Sequence, residues 1–426
     1  MKPTDLRGIL QYIPRFREQT FVISADGAVV TDVNFTNLLL DIAVLRSLNI
    51  RVVLVHGAGE LIGQLARKRG ATPSNLDGTG ITNDETLEFS VSAANRLTHD
   101  ILEGLSISDQ RAASANAIVS HSAGIVDGVD QQWTGRIERV DISMLKTFLA
   151  EGIIPVIPPL GFDGEGNTFR LNSDAIAQAV SEALGAIKLI FIGTTDGLKI
   201  NGRLIRQTSS GDLEKALKDG VDIEASQVSK AHHAASACAK GVPRVHLING
   251  HVAEGLLAEV FSNEGIGTLI YANEYQQIRP AMNKDAPNIL KLTREAMEGD
   301  ELLRRSSESI DKHISDYFIY EIDANPVACV ALREYPHEST AELMHLYVSP
   351  SHANQGIGRK LIQFAVDRTT ERKLKRLIAL TTQAFAYFKS KASFDEGSLK
   401  DLPPTRREEY ERNGRNSNIL IKYLTL

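Results

Sequence analysis

Two stretches of this 426-residue chain run from β-branched or apolar residues straight into glycines. The first is Val55-His56-Gly57-Ala58-Gly59, followed by a helix-like segment over 60–69. The second is Leu343-Met344-His345-Leu346-Tyr347-Val348-Ser349-Pro350, followed after four residues by Gln355-Gly356-Ile357-Gly358-Arg359-Lys360-Leu361. A strand that passes through a glycine turn into a helix N-terminus presents backbone N–H groups and a positive dipole end, which is chemistry for holding phosphate or carboxylate. Glycines also serve tight left-handed turns, so the first stretch taken alone reads equally as plain turn geometry. Two polar stretches, Leu303-Arg304-Arg305-Ser306 and the tail 404–418, concentrate guanidinium forks that match carboxylates. An arginine in such a tail is otherwise a solvated surface charge.

These groups need elements to position them. Residues 20–250 repeat one theme: a short β-branched run, a glycine-rich turn, then a segment with helical apolar spacing. Phe21-Val22-Ile23, 51–55, 153–157, 188–192 and 245–248 read as strands, continuous and apolar as expected for a parallel sheet covered on both faces. Ahead of them Leu6, Ile9, Leu10 and Ile13 recur at helical spacing after a Thr4-Asp5 cap, and Pro14 is read as the end of that helix. Its apolar stripe packs on its own domain or on a second subunit. The pattern changes near Ile278: 286–297 reads as a helix, 318–322, 327–332 and 341–348 as consecutive strands, and 358–369 as a helix. Strands in a row followed by a strand-turn-helix unit indicate an α+β domain. The expected division is an α/β parallel-sheet domain over 1–277 and an α+β domain over 278–426, with the seam in 275–284.

A composition of 42% hydrophobic and 23% charged residues is that of an ordinary globular protein, and the length predicts two to three domains. No run approaches the ~18 apolar residues of a membrane span. The start is punctuated by Lys2, Arg7, Arg15, Arg17 and Glu18, so no secretory signal is expected. Cys238 and Cys329 lie far apart without metal-ligand spacing, which predicts neither a disulfide framework nor a structural zinc and fits a reducing cytoplasm. A net charge of −6 argues against nucleic acid or an anionic membrane as partner. From Ile278 onward there are 23 Lys and Arg against 21 Asp and Glu, with 24 against 32 before it, so the C-terminal part suits anionic ligands better.

Over 20–273 the order of motifs resembles the amino acid kinase family, the acetylglutamate kinases in particular. The resemblance carries the family's Asn-Ala-Asp element onto Asn172, Ser173 and Asp174, and its second lysine onto Lys230. The first lysine falls on Ser24, the triple glycine reads Gly57-Ala58-Gly59, and the substrate arginine falls on Gly80. Phosphoryl transfer needs cations around the equatorial oxygens, so the domain is expected to be kinase-like but catalytically silent. Asp174 and Lys230 are then either a functional remnant or a buried ion pair. Kinases of this family that arginine inhibits carry an extra N-terminal helix and a late segment like Gly255-Leu256-Leu257-Ala258-Glu259-Val260-Phe261 with Gly265-Ile266-Gly267-Thr268. The resemblance implies an arginine effector, its guanidinium against Glu259 and its other donors on carbonyls around Gly265. The plainer reading of Glu259 is a helix-surface charge.

The stretch 343–361 resembles motif A of the GCN5-related N-acetyltransferases (GNAT), whose turn amides hold the pyrophosphate of acetyl-CoA. It implies Leu346, Val348, Gln355, Gly356, Gly358 and Arg359 as residues binding this co-substrate, with no metal. Ala353 departs from the Gln or Arg usual in the family. An amine must lose a proton before it attacks a thioester. Glu342 is the expected base, directly or through one water; His345 has the more convenient intrinsic pKa, and a site using neither stays open. In a regular strand 342 and 345 face opposite sides, so both reach one site only across a bulge. Tyr387 is expected to protonate the departing thiolate, unless it is core packing.

A kinase-like domain followed by an acetyltransferase resembles, over nearly all 426 residues, the bacterial N-acetylglutamate synthase family. Leu303-Arg304-Arg305-Ser306, Leu380-Thr381-Thr382, Leu402-Pro403-Pro404-Thr405-Arg406 and Arg415-Asn416-Ser417 match its local elements. They imply Arg305, Arg406, Arg415 and Ser417 on the two carboxylates of L-glutamate, and Thr381 near its amine. Lys391-Ala392-Ser393-Phe394 and Gln383 depart from the family pattern. The implied reaction converts acetyl-CoA and L-glutamate to N-acetyl-L-glutamate and CoA, the first step of arginine biosynthesis, under feedback by arginine. The resemblance also implies a cytoplasmic homo-oligomer, a hexamer. The rivals are a bifunctional enzyme that also phosphorylates acetylglutamate, against which Ser24 and Gly80 stand, and a non-enzymatic arginine-binding regulator, which Ala353 favours.

Overall fold

A computed structural model describes residues 13–261, 265–272, 276–299, 302–322, 325–353, 356–414 and 416–424. Contacts divide the chain into two compact units, Met1–Asn273 and Glu274–Leu426.

The first unit is built on eight strands: β1 Thr20–Ala25, β2 Arg51–His56, β3 Ala112–Ser114, β4 Ile154–Ile157, β5 Lys188–Gly193, β6 Gln207–Ser209, β7 Arg244–Asn249 and β8 Thr268–Tyr271. They lie in the order β6-β8-β7-β5-β1-β2-β4-β3. All neighbours are parallel except β7 and β8. Alternate residues of the apolar strands feed two cores. Phe21, Ile23, Val52 and Leu54 pack with helices α1 Phe35–Ser47, α2 Gly59–Lys68 and α3 Asp84–Ile107 on one face. Val22, Val53 and Val55 pack with α4 Ser173–Leu184 and α5 Ala225–Ala239 on the other. A strand apolar at every position is what a sheet covered on both faces demands. A second, four-stranded sheet of Ile118–Ser122, Gly135–Val140, Leu160–Phe162 and Thr168–Arg170 has no counterpart in the sequence reading. Its strands are short, three to six residues each.

Most of the expected N-terminal helix, including its Thr4-Asp5 cap, lies outside the described residues. Among the described residues Ile13–Phe16 is a helical turn that includes Pro14, and the Arg17 N–H donates to the Ile13 carbonyl at 2.9 Å. The helix α6 Gly255–Phe261 leads toward β8.

The second unit holds one seven-stranded sheet: β9 Gln276–Pro280, β10 Tyr317–Ile322, β11 Asn325–Tyr335, β12 Thr340–Val348, β13 Arg376–Thr381, β14 Asp395–Glu396 and β15 Asn418–Tyr423. Their order is β9-β10-β11-β12-β13-β15-β14, antiparallel except for β12 and β13. Helix α7 Ala286–Glu298 covers one face through Ala286 and Ile289. Helix α8 Ile357–Glu371 covers the other through Ile357, Leu361, Ile362 and Ala365. The unit also holds three short helices: Ser307–Lys312, α9 Phe385–Ala392 and α10 Pro404–Asn413. The stretch read as a polar tail, 404–418, is therefore a helix that leads into β15, the strand next to the sheet's edge. Among the described residues no helix is long and apolar enough to cross a membrane.

Candidate active site

Strands β12 and β13 pair in parallel only over Thr340–Leu343 and Arg376–Ala379, although β12 continues to Val348 and β13 to Thr381. Where the pairing stops, a cavity of about 230 Å³ lies between them. It gathers Glu342, His345 and Leu346 from β12, Thr381 from β13, and Tyr387 from α9. Arg305, which follows α7, Arg406 on α10 and Ser417 before β15 line it as well. Residues spread over more than a hundred positions thus meet at one interruption in the sheet.

A bulge in β12 settles the question of facing. Ala331 pairs with Met344 and Cys329 with Tyr347, so Val330 alone opposes both His345 and Leu346. His345 takes the extra position with φ +51. In consequence Met344 and Tyr347 pack on the α7 face, while Leu343 and Leu346 pack on the α8 face, although each pair is three residues apart. Glu342 and His345 accordingly line the same cavity.

Glu342 is only 1% exposed. Arg406 Nε donates to its two oxygens at 2.9 and 2.8 Å, and the Tyr335 hydroxyl donates to Oε2 at 3.2 Å. Burial pushes this carboxyl up; Arg406 and Tyr335 oppose the rise, and the net position stays above the ordinary glutamate value. Arg406, expected on the substrate's carboxylates, lines the cavity and directs its Nε at Glu342, as a buried carboxylate needs a paired, hydrogen-bonded cation. His345 Nδ1 lies 3.0 Å from the Tyr317 hydroxyl, and its Nε2 has no hydrogen-bond partner among the described residues. Burial, with a contribution from the Arg305 charge, lowers the imidazole to about 4, so it is neutral near pH 7. Arg305 Nε is likewise buried without a partner, and its Nη2 makes a weak 3.9 Å contact to Met344 Sδ. The Thr381 hydroxyl accepts from the Ala384 N–H at 2.9 Å, which fixes the turn into α9. The Ser417 carbonyl accepts from the Tyr410 hydroxyl at 2.7 Å.

The glycine turn adjoins this cavity. Gly356 caps α8 at φ +77 with no side-chain cap, so the first amides of the 15-residue helix keep their N–H groups for an anion. At Gly358 a Cβ would stand 3.0 Å from the Tyr387 hydroxyl, which places that phenol against the turn. Val348 ends β12 nearby, 3.8 Å from the same point, and Arg359 is exposed on the first turn of α8. Gln355 and Arg415 lie outside the described residues.

The first unit has its own cleft, about 330 Å³, lined by Asp26, Gly57, Asp174 and Lys230. Lys230 Nζ stands 2.7 Å from Asp26 and 3.4 Å from Asp174. Burial works against its charge, but the two aspartates outweigh it and hold the ammonium above the ordinary lysine value. Asn172 caps α4, its side chain accepting from the Ala175 N–H at 2.9 Å. Ser24 is 2% exposed in β1.

Glu259 is not a helix-surface charge. It is buried on α6, takes His246 Nδ1 at 2.6 Å, and accepts from the N–H groups of Ile266 at 2.6 Å and Gly267 at 2.9 Å. Burial alone would raise its carboxyl, but the His246 hydrogen bond and the two amides bring it down to about 2. Gly265 adjoins it: φ is +63, and a Cβ there would fall 2.8 Å from Glu259 Oε2, so only glycine fits. Lys188 Nζ lies 2.9 Å from His246 Nε2. The sequence reading missed both Lys188 and His246, whose signal was a polar residue inside an otherwise apolar strand.

Comparison with known proteins agrees with both units. The amino acid kinase family model matches residues 19–249, and the acetyltransferase (GNAT) family model matches residues 284–392. An amino-acid acetyltransferase of Neisseria meningitidis serogroup B is 32% identical over 98% of this chain and 97% of its own. A crystal structure of N-acetylglutamate synthase from Neisseria gonorrhoeae, complexed with coenzyme A and L-arginine, matches with TM-score 0.87 and 30% identity over 99% of both chains. A second structure from that organism, with coenzyme A and N-acetyl-glutamate, matches with TM-score 0.64 and 32% identity over the same shares. The two domains in this order and the full-length likeness make the chain a member of the amino-acid acetyltransferase family.

Proposed function

We propose that this chain transfers the acetyl group of acetyl-CoA to the α-amine of L-glutamate, releasing N-acetyl-L-glutamate and CoA, and that L-arginine regulates it. One observation carries the reading: a single cavity holds a buried carboxylate and an unpartnered guanidinium N–H beside a glycine-capped helix. The ligands named for the two gonococcal structures support the choice of substrates and effector. The amides of Gly356 and Gly358 would hold the pyrophosphate, with Leu346 and Val348 along the strand. Glu342, raised by burial and kept charged by Arg406, would accept the amine proton as the nitrogen attacks the thioester carbonyl. Arg305 would hold a substrate carboxylate, and Tyr387 would give a proton to the leaving thiolate. The enzyme is proposed to act in the cytoplasm as a homo-oligomer.

The experiment is thiol release on mixing protein, acetyl-CoA and glutamate, with and without arginine. Release that needs glutamate and responds to arginine supports the proposal; turnover with another amine alone retires the substrate. A Tyr387→Phe variant should lose about tenfold to a hundredfold in kcat with little change in glutamate KM, and equal rates would remove Tyr387 from its role. Lys230, clamped between Asp26 and Asp174, speaks against phosphoryl transfer. The full-length protein should consume no ATP with N-acetylglutamate present, and measurable ADP formation would restore the bifunctional reading.

The effector is proposed to meet Glu259 beside Gly265. Since both Glu259 oxygens already accept protein donors, an incoming guanidinium would share Oε1 with His246.

A further inference from the structure

We propose that His345, together with Arg305, binds one carboxylate of the amino-acid substrate through its Nε2–H, in a tautomer fixed by Tyr317. The inference deepens the function proposed above and rests on it.

The tautomer follows from counting. The Tyr317 hydroxyl and His345 Nδ1 are 3.0 Å apart, and no other partner for either atom exists among the described residues. If Nδ1 carried the proton and donated to the phenol oxygen, the buried phenol hydrogen would have no acceptor, and the Nε2 lone pair would have no donor. If the phenol donates to Nδ1, one group is left over, the Nε2–H. Buried polar groups are overwhelmingly paired, so the second arrangement holds, and its surplus donor calls for an acceptor. His345 is 8% exposed and lines the cavity.

Arg305 lines the same cavity and carries a second N–H, at Nε, that has no partner among the described residues. Its charge is felt at both His345 and Tyr317, which places the three groups together. Two buried donors with one positive charge between them match one carboxylate in hydrogen bonds and in charge. The same tautomer removes His345 from the list of bases, because an Nε2 that already bears a proton has no lone pair for the amine's. The bulge is what makes the arrangement possible: without the extra residue His345 would face α8, away from Tyr317.

Steady-state kinetics on the full-length enzyme test this. His345→Phe keeps a ring and deletes the donor, whereas His345→Gln restores an N–H near Nε2. The expected result is a rise in glutamate KM of about tenfold or more in His345→Phe, with kcat within about threefold and coenzyme A affinity unchanged, and recovery in His345→Gln. Tyr317→Phe, which frees the tautomer, should raise KM by a smaller factor. L-Glutamine as acceptor locates the carboxylate: loss of preference for glutamate places it at the side chain, and equal loss on both places it at the α position. An unchanged KM in His345→Phe overturns the proposal. So does a His345→Gln enzyme as poor as His345→Phe, which would mark a packing role. If the wild type does not acetylate glutamate, the substrate reading fails separately; the same variants then decide on whichever amino acid is acetylated.

Discussion

A Glu342→Gln enzyme is expected to turn over glutamate about 10²- to 10⁴-fold more slowly than the wild type, the usual contribution of a positioned base. Coenzyme A should still bind, because the glycine turn is untouched. Two independent readouts separate loss of the base from loss of the fold. The first is thermal unfolding: the amide leaves Arg406 facing a neutral partner, and breaking a buried pair costs about 3 kcal/mol, so the variant melts earlier but still cooperatively. The second is pH. In the wild type the Glu342 carboxyl is held above the ordinary glutamate range by burial, with Arg406 limiting the rise. Its active form is the charged one, so kcat/KM falls as pH drops through that raised value, and it is constant above it until other groups titrate. Glu342→Gln should lack this acid limb. A variant that retains wild-type rates would remove Glu342 from the chemistry.

The second large effect concerns the glycine at the head of α8. Gly356 stands at φ +77, a region that costs an L-residue about 1–2 kcal/mol and a β-branched one more. Gly356→Val either keeps the cap under strain or turns the first amides of α8 away from their common direction. Each 1.4 kcal/mol is tenfold in affinity, so coenzyme A binding should weaken by about 30- to 100-fold. Calorimetric titration measures it, and glutamate-dependent thiol release at fixed acetyl-CoA should fall in parallel. Wild-type affinity in this variant would mean that the turn does not hold the pyrophosphate.

The apolar strands of both units were legible because each is a continuous run bounded by glycine or polar residues, and their ends fall within a few positions of those expected. The helix α10 and strand β15 were not, since 404–413 carries almost no apolar residue and begins on two prolines. What positions α10 is Arg406 reaching 64 residues back to Glu342, and no local pattern announces such a pair. The same holds for His246 with Glu259 and for Tyr317 with His345: Glu259 and His345 were read as candidates, but the partner of each lay on another strand. The glycine turn, by contrast, was read correctly as a turn because its chemistry is local, spelled by neighbours in the chain. The need for a bulge was also legible, as a conflict between the two faces of β12, but whether the chain resolved it was not.

That bulge has a consequence for how the gene can vary. Side chains on a strand obey an odd-even count, and the extra residue at 345 resets that count for everything downstream. Deleting any single codon within 340–348 would restore ordinary alternation, and insertion of one would reverse it again. A frame-preserving loss in a surface loop is absorbed by slack in the chain, whereas here loss of the residue at 345 would leave Leu343, Met344, Leu346 and Tyr347 on their present faces and take away the extra position from which His345 lines the cavity. The stretch should therefore tolerate substitutions far better than changes in length.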